Sequence, residues 1–571
     1  MVKRTAHISR NYVDPSFEMN EWSDLEPFMH DLLHRVIDGA EQYNRWLLDI
    51  SELEALIEEE AAWRYIRMTI DTSNEQASAD YMKFVSEIQP QLAPLTDQLN
   101  RKIVDSPFAS QADQGDFRIY FRSLRNDIAL FREENIALQT ELQELAQQYS
   151  TITGGMLVTI DGESMTMQKA GALLQRPDRT LREEAFRAIQ EVRLQSAEAL
   201  DELFDQMVAK RHQMALNAGF SNFRDYKFAA MGRFDYSSDD CFRFHDSIAN
   251  AIVPIAKRIV EKRKKAMGFE QLRPWDLSCD VQGRAPLTPF KDGAELMAKS
   301  IELFGRIDTY FGECLQRMHD LGYADLESKP GKAPGGYNYP LYESGVPFIF
   351  MNAVGTPRDM VTMMHEGGHA VHSILTHDLT LTAFKGCPSE VAELASMSME
   401  LLSLDHWDLF YTEADDNARA KSEHLEDILT MLPWIAMVDA FQHWIYTHPT
   451  HTRTERTAKW NELEERFGVG IVDWSGLEEG RSSRWQRQLH IFEVPFYYIE
   501  YGMAQLGAIA VWRNYKQDPS EAIEAYKAAL KLGYTRSISD IYAAANIRFD
   551  FSERYIQELA AFVSSELDPF N

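Results

Sequence analysis

Apolar residues recur at helical spacing over most of the chain between Glu21 and Ser150. In the segment from Phe131 to Tyr149, they stand three or four positions apart among Glu, Gln and Arg. The pattern predicts long amphipathic helices, arranged as helical hairpins or coiled-coil-like arms. A similar periodicity returns after residue 178, so helices are predicted beyond this region as well.

Two segments interrupt the helical pattern. Residues Met156 to Met167 alternate around Asp161-Gly162, which is typical of a β-hairpin. The Gly- and Pro-rich stretch 328–340 is irregular, and the following segment 346–354 is short and rich in strand-forming residues. Helical patterning then continues to the end. The sequence therefore predicts a mainly α protein with one small sheet near residues 335–354.

The length and net charge of the chain limit the classes of protein to which it can belong. A chain of 571 residues is long enough for two or more domains or for one large two-lobed body. Its 88 acidic and 58 basic side chains give a net charge of -30, which disfavours nucleic acids and anionic membranes as partners.

Cysteine usage and hydropathy favour a cytoplasmic protein. The four cysteines form no CxxC pair, which argues against a disulfide-stapled scaffold and a cysteine-based zinc site. The first residues carry no apolar signal-peptide core, and no apolar run reaches membrane-spanning length. The cysteines are Cys241, Cys279, Cys314 and Cys387.

The segment 355–377 predicts a buried helix with a defined start. Thr356 suits the N-cap, Pro357 the first helical position, and Asp359 completes a capping box. Gly367 and Gly368 lie inside this helix at a cost of about 1 kcal/mol each relative to Ala. That cost indicates that another backbone approaches the helix closely there.

His365, Glu366 and His369 form a His-Glu-x-x-His pattern on this helix. The two imidazoles lie four residues and about 6 Å of rise apart, so both can reach one metal ion. Zinc lowers the pKa of bound water to about 7, and an adjacent carboxylate can take the proton as the water attacks a carbonyl. The alternative, two ordinary helix histidines, fits poorly with a helix that is apolar on most sides.

A zinc peptidase needs a third protein ligand. His372 lies about 10.5 Å along the helix axis from His365, too far to share one ion with both histidines. We expect it either to orient a metal ligand without touching the ion or to pack in the core. Glu393 and Glu400 share one face of the apolar segment that follows. We expect Glu393 to be the ligand and Glu400 to orient an imidazole. The alternative is a solvated acidic face.

Aromatic residues near position 500 supply candidate oxyanion donors. His490, Tyr498 and Tyr501 can donate hydrogen bonds to a tetrahedral intermediate, and the tyrosines fall three apart on one helical face. A stripe of this kind is more often core packing than catalysis, so the residues alone leave both readings open.

Several motifs together resemble the thimet oligopeptidase and oligoendopeptidase F family of zinc metallopeptidases, closest to its oligoendopeptidase F branch. They are HEGGHAVH, VAELASMSMELL, HIFEVPFYYIEYG, GKAPGGYNYPLYESGVPFIFMNAVGT and RPWDLS. The resemblance covers residues 190–571 well and the preceding helices more loosely. It implies a two-lobed helical bowl with a deep substrate channel that excludes folded proteins. It also implies a helical arm or lid region over residues 1–190 and a catalytic region over residues 191–571.

The resemblance also implies roles for individual residues, including one Zn²⁺ per chain. The ligands would be His365, His369 and Glu393, the general base Glu366, and the stabilisers of the tetrahedral intermediate His490, Tyr498 and Tyr501. The strand from Phe348 to Asn352, with Phe350, would line the channel and bind peptide as an added strand, with Gly335, Gly336 and Tyr337 nearby. Gly367 stands where relatives commonly have a larger residue, which predicts looser packing.

The sequence thus predicts a zinc-dependent endopeptidase that hydrolyses internal bonds of short oligopeptides. One alternative is a zinc carboxypeptidase on a similar helical fold. Another is a non-catalytic peptide-binding protein that retains zinc. Structural zinc sites usually have four closed ligands and need no base, whereas here three ligands are evident and Glu366 stands beside them.

Overall fold

The computed structural model describes residues 9–329, 331–333 and 335–570. They form two compact units, each assembled from three stretches of chain. Unit 1 contains the described residues of Met1–Glu133, Thr288–Asn417 and Ala504–Phe549, and unit 2 those of Glu134–Leu287, Ala418–Met503 and Asp550–Asn571. These units interleave along the sequence, so they are a different division from the arm and catalytic regions, whose boundary at residue 190 stays a prediction.

Helices make up 70% of the chain, which confirms the mainly α prediction. The α-helices of unit 1 are Trp22–His34, Ala40–Ile70, Glu75–Lys83, Gln89–Asp105, Ala109–Ala112, Phe117–Leu130, Gly293–Ile307, Thr309–Leu321, Pro357–Leu375, Thr382–Lys385, Ser389–Ser403, Pro519–Leu530 and Ile538–Ala544. A π-helical turn (Phe84–Ile88) and a 3-10 segment (Leu404–Leu409) complete its helical elements.

Unit 2 is also built from helices. They are Glu134–Gly154, Met167–Leu173, Arg179–Gln195, Ala197–Asn217, Phe223–Ala230, Ser238–Ala251, Val253–Met267, Arg453–Phe467, Glu478–Ser482, Leu489–Glu493 and Glu553–Leu567, with 3-10 turns at Pro274–Asp276, Arg484–Arg487 and Asp568–Phe570. Two further helices, Ala414–Thr447 and Tyr498–Gln517, contain residues of both units. Each described helix is too short or too polar to cross a lipid bilayer.

A β-hairpin forms where alternation predicted one. Strands β1 (Leu157–Ile160) and β2 (Glu163–Thr166) pair antiparallel, with Ile160 opposite Glu163. The two residues between them, Asp161 and Gly162, both have positive φ, as a tight type I′ turn requires. The hairpin prediction is therefore confirmed.

The second sheet has three strands in the order β3-β5-β4. Strand β3 (Ala324–Glu327) runs parallel to β5 (Phe348–Ala353), and β4 (Tyr337–Tyr339) runs antiparallel to it. Strand β5 is buried almost throughout because it lies in the centre of the sheet. This is the small sheet predicted near residues 335–354.

Candidate metal centre

The helix Pro357–Leu375, here called the motif helix, begins as its sequence predicts. The Thr356 side chain accepts a hydrogen bond from the backbone N–H of Asp359, and the Asp359 side chain caps Thr356 in return. Pro357 occupies the first helical position, where its missing N–H costs nothing. The capping box thus fixes the start of the helix two turns before His365.

A second helix, Ser389–Ser403, packs directly against the motif helix and is here called the glutamate helix. A Cβ atom on Gly368 would lie 2.7 Å from the Cα of Ser396 and 2.8 Å from the carbonyl oxygen of Ala395. Only glycine permits this approach of two backbones. The prediction drawn from the glycines in the motif helix is confirmed at Gly368.

Gly367 has a different neighbour. A Cβ atom there would lie 2.4 Å from Cζ of the buried Phe304 ring, which occupies the space that a side chain at position 367 would need. The prediction of looser packing at Gly367 is therefore wrong, because the aromatic ring fills the gap.

The close approach of the two helices brings His365, His369 and Glu393 together. Glu393 Oε2 lies 3.2 Å from His365 Nε2 and 3.7 Å from His369 Nε2. One ligand-type atom from each residue lies within 4.8 Å of the other two, so a single ion can reach all three. Glu393 is almost completely buried, whereas the imidazoles keep a 19% exposed fraction each. The cluster is therefore open on the side of the histidines.

Glu400 lies one step behind this cluster. Its Oε1 lies 2.7 Å from Nδ1 of His365, so the imidazole is held through the nitrogen that faces away from Glu393. Burial lowers the pKa of His365, but the Glu393 and Glu400 carboxylates outweigh it and raise that pKa well above its usual value. Two carboxylates at this spacing favour a cation between the helices.

Glu366 is the buried acid of the motif. It is 6% exposed, and its Oε2 has no hydrogen-bond partner among the described residues. Burial raises the pKa of its carboxyl to about 7. Its backbone carbonyl accepts a hydrogen bond of 3.4 Å from Asn338 Nδ2, which ties strand β4 to the motif helix.

His372 lies in the last turn of the motif helix, one turn beyond His369. Its Nδ1 lies 3.9 Å from the thiol of Cys387, at the other end of the motif helix. His372 is buried, and both of its predicted roles stay predictions.

The predicted peptide-binding strand needs a correction. Strand β5, which contains Phe348 and Phe350, has β3 on one side and β4 on the other, and residues 348–350 pair with β4. A peptide cannot add to it, because strand addition requires a free edge. Phe348 and Phe350 are 0% and 1% exposed, so they serve the core.

Gly335, Gly336 and Tyr337 lie at the edge of the same sheet. Gly335 adopts φ +97°, and a Cβ atom on Gly336 would come within 3.3 Å of the Phe350 carbonyl oxygen. The Tyr337 ring stacks on Phe350 with centroids 4.8 Å apart, and its hydroxyl lies 2.6 Å from that of Thr69. The glycines thus allow the chain to enter edge strand β4 close to its neighbour.

His490, Tyr498 and Tyr501 form a second cluster, in unit 2. The His490 ring lies 4.9 Å from that of Tyr498 and 5.7 Å from that of Tyr501, and Tyr501 Oη is 3.4 Å from His490 Nε2. Gln488 contacts the other nitrogen of His490 at 2.8 Å. Tyr497, which the sequence analysis did not single out, packs against both His490 and Tyr501.

A strained turn positions the tyrosines. Phe496 has φ +69°, which is unfavourable for a bulky residue. Its N–H donates to Gln442 Oε1 at 2.8 Å, and its carbonyl accepts from Arg233, which also pairs with buried Glu500 at 2.9 Å. Buried polar partners therefore hold the turn that starts the helix of Tyr498 and Tyr501.

The sequence model of Peptidase family M3 matches residues 172–561, more than half of the chain. The chain belongs to peptidase family M3. A model of the Peptidase M3 N-terminal domain matches residues 13–131 as well. Members of this family generally use a metal ion, in agreement with the donor set found between the two helices.

Relatives in this M3 family include bacterial oligopeptidases. An oligoendopeptidase F homolog of Borreliella burgdorferi is 24% identical over 66% of this chain and 62% of its own length. Oligopeptidase PepF of Bacillus subtilis is 23% identical over 52% of this chain and 44% of its own. The aligned region thus spans less than two thirds of the length of these curated relatives.

Solved structures share the fold over nearly the whole chain. PZ peptidase A, solved with an inhibitor, gives a TM-score of 0.91 at 27% identity and covers 97% of this chain and 98% of its own. An oligoendopeptidase F structure gives the same TM-score at 28% identity, with 97% of each chain covered. The predicted resemblance to the oligoendopeptidase F branch is thereby confirmed.

Sequence reasoning missed several residues that support these two clusters. Asn338, Gln442 and Arg233 each hold a backbone group near a candidate residue, yet they lie far away in sequence. Nothing in their local patterns marks them. Phe304, whose ring fills the space beside Gly367, could not be predicted either, because the two residues lie on different helices.

Proposed function

We propose that this chain is a zinc-dependent endopeptidase that cleaves short oligopeptides. The observation that supports this most strongly is the grouping of His365, His369 and Glu393 within 4.8 Å. Two imidazole nitrogens and one carboxylate oxygen are a known ligand set of catalytic zinc, which leaves the fourth position open. Membership in peptidase family M3 supports the same reading.

The residues fit zinc, which supplies Lewis-acid chemistry by lowering the pKa of water to about 7 and polarising a carbonyl. His365, His369 and Glu393 would hold it. Glu400 bonds to Nδ1 of His365 and thereby keeps Nε2 directed at the cluster. His365 thus has a partner that sets the direction of its ring.

In this proposal Glu366 moves the proton. Its unpartnered Oε2 is free to accept a proton from the attacking water and to pass it to the leaving amine. Burial in a site with little water strengthens such a transfer.

The cluster of His490, Tyr498 and Tyr501 would stabilise the oxyanion. The hydroxyl of Tyr501 and the imidazole of His490 are adjacent, and the rigid turn at Phe496 preorganises them. Fixed donors of this kind typically contribute about 10²–10³ in rate. The assignment of these roles stays a prediction.

Peptide would pair with the outer edge of strand β4, since β5 has no free edge. Asn338 links this strand to the carbonyl of Glu366, so a peptide on the edge would lie beside the base. A deep channel, short peptides as substrates and a cytoplasmic location stay predictions.

One variant tests the mechanism. Glu366→Gln keeps the size and the metal ligands but removes the base, so turnover of a quenched fluorescent peptide should fall by at least about 10³-fold while zinc content stays near one ion per catalytic site. A matched control is Glu343→Gln, an acid of the same unit that pairs with Arg10. Full turnover by Glu366→Gln would refute the mechanism.

Blocking the C-terminus of the test peptide separates the endopeptidase from a carboxypeptidase. An endopeptidase still cuts an amidated peptide at an internal bond, whereas a carboxypeptidase needs the free carboxylate. If mass spectrometry showed only loss of single C-terminal residues from the free peptide and none from the amidated one, the carboxypeptidase reading would replace ours.

A further inference from the structure

Four side chains of the types that can ligate a metal lie close together in the interior of unit 2, apart from the residues discussed above. Cys241 and His245 stand four residues apart on one helix, and Asp439 and His443 stand four apart on another. Residues at this spacing lie on one helical face, so each helix directs two candidate ligands the same way. Two helices that present such pairs to each other can bind a metal ion between them.

The atoms are close enough for one ion. One ligand-type atom each from Cys241, Asp439 and His443 lies within 4.8 Å of the other two. All three therefore lie within about 2.8 Å of a common point, since 4.8 Å divided by √3 is 2.8 Å. Zinc bonds of about 2.0–2.3 Å then need only small side-chain adjustments.

Asp439 and His443 are spaced as two ligands of one ion would be. His443 Nε2 lies 3.2 Å from Asp439 Oδ2, yet neither nitrogen of His443 has a hydrogen-bond partner among the described residues. Two ligands of a tetrahedral zinc ion stand about 3.3 Å apart. Unsatisfied buried nitrogens are rare without a water or an ion.

The burial of the Asp439 carboxylate and its negative charge also favour a bound cation. Asp439 is 0% exposed and Cys241 is fully buried, while the ion pairs of Asp439 are with the imidazoles of His245 and His443. A buried carboxylate needs compensation. A divalent ion with one carboxylate, one thiolate and a neutral imidazole has a net charge of zero. The rings of Phe242 and Phe496 lie beside His443.

We infer that Cys241, Asp439 and His443 bind a second zinc ion and that His245 holds Asp439 in place. His245 Nε2 lies 2.8 Å from Asp439 Oδ2, and Oδ1 of the same carboxylate has no hydrogen-bond partner among the described residues. A histidine that fixes a ligating carboxylate is a common outer partner of a metal site.

This ion would stabilise the turn before the candidate oxyanion donors. His443 packs on Phe496 with ring centroids 5.2 Å apart, and the neighbouring Gln442 accepts the Phe496 N–H. An ion that joins the helices of Cys241 and His443 therefore also steadies the support of Phe496.

Cobalt reports on this site specifically, because a thiolate ligand gives Co²⁺ an intense near-ultraviolet charge-transfer band. The full chain is produced in zinc-depleted medium supplemented with Co²⁺, so that the metal is present while the protein folds. We expect two Co²⁺ per chain and a charge-transfer band from one of them. The site of His365, His369 and Glu393 contains no thiolate and gives no such band.

Three variants assign the band. Cys241→Ser should lose the band and one of two Co²⁺ ions, whereas Cys279→Ser, a buried thiol of the same unit, should keep both. Glu393→Gln should lose the other ion and keep the band, so the two sites can fail independently. Absence of the band in the unmodified protein, or its survival in Cys241→Ser, would overturn the inference even if a variant failed to fold.

Discussion

Replacing Gly368 by alanine tests how strictly the packing of two helices sets the metal site. The new Cβ atom would lie 2.7 Å from Ser396 Cα, 2.8 Å from the Ala395 carbonyl oxygen and 3.0 Å from Met399 Cβ. Two of these atoms belong to the backbone of the glutamate helix and cannot rotate away. The helices must therefore separate.

The size of the effect follows from the geometry. Ordinary contact begins at 3.4 Å, so the glutamate helix must move by at least 0.7 Å, the difference between 3.4 and 2.7 Å. Metal sites tolerate errors of about 0.2 Å in ligand distance. We expect a loss of about 10–100-fold in zinc affinity, or about 1.4–2.7 kcal/mol. Overpacking adds about 1–3 kcal/mol of destabilisation, against about 1 kcal/mol gained by replacing a helical glycine.

Zinc affinity is measured by competition with a chromophoric chelator, and stability by thermal melting with and without zinc. Gly171→Ala is the matched control, because it lies in a helix with nothing within 4 Å of the new Cβ. It should gain about 0.5–1 kcal/mol and leave zinc affinity unchanged. If Gly368→Ala bound zinc within twofold of the unmodified protein, the contact between the helices would not control the ligand set.

Three other predictions rest on separate contacts. Glu400→Ala removes the 2.7 Å contact with His365 Nδ1 and should weaken zinc binding by about 10–100-fold, while saturating zinc restores most activity. If chelator competition gave the variant the same zinc affinity as the unmodified protein, this prediction would be wrong. Tyr501→Phe should lower kcat by about 10²–10³-fold with unchanged zinc content and melting temperature, so a normal kcat would remove Tyr501 from the oxyanion site. Asp276→Asn should cost about 3–5 kcal/mol at neutral pH, because Arg182 is buried with it. Burial raises the pKa of the Asp276 carboxyl, but its hydrogen bonds from Arg179 and Arg182 lower that pKa overall. The stability that Asp276 contributes is therefore present above an aspartate's usual pKa of about 3.9 and is lost as the pH falls. The melting temperature of the unmodified protein should drop more steeply below pH 4 than that of Asp276→Asn, and parallel curves would contradict the assignment.

The sequence was informative wherever the signal was local. Helical spacing, the capping box of Thr356 and Asp359, and the Asp161-Gly162 turn depend on neighbouring residues, and the structure confirms each of them. The seven-residue spacing of Glu393 and Glu400 likewise placed both on the face that meets the motif helix.

Features that depend on distant partners could not be predicted. The central position of β5 depends on β3 and β4 pairing on either side, so the proposed strand addition failed. The prediction of looser packing at Gly367 was wrong because the Phe304 ring fills the space beside it. Phe304 lies 63 residues away in sequence, so the local pattern does not show this contact. The grouping of Cys241 with Asp439 and His443 joins residues about 200 positions apart, so counting CxxC pairs could not show it.

The proposed mechanism requires one zinc ion bound between the motif helix and the glutamate helix. X-ray diffraction from crystals of the purified protein, recorded on both sides of the zinc absorption edge, tests it most directly. We predict an anomalous peak within about 2.0–2.2 Å of His365 Nε2, His369 Nε2 and a Glu393 oxygen. An active, crystallised protein with no peak at these three side chains would contradict the account.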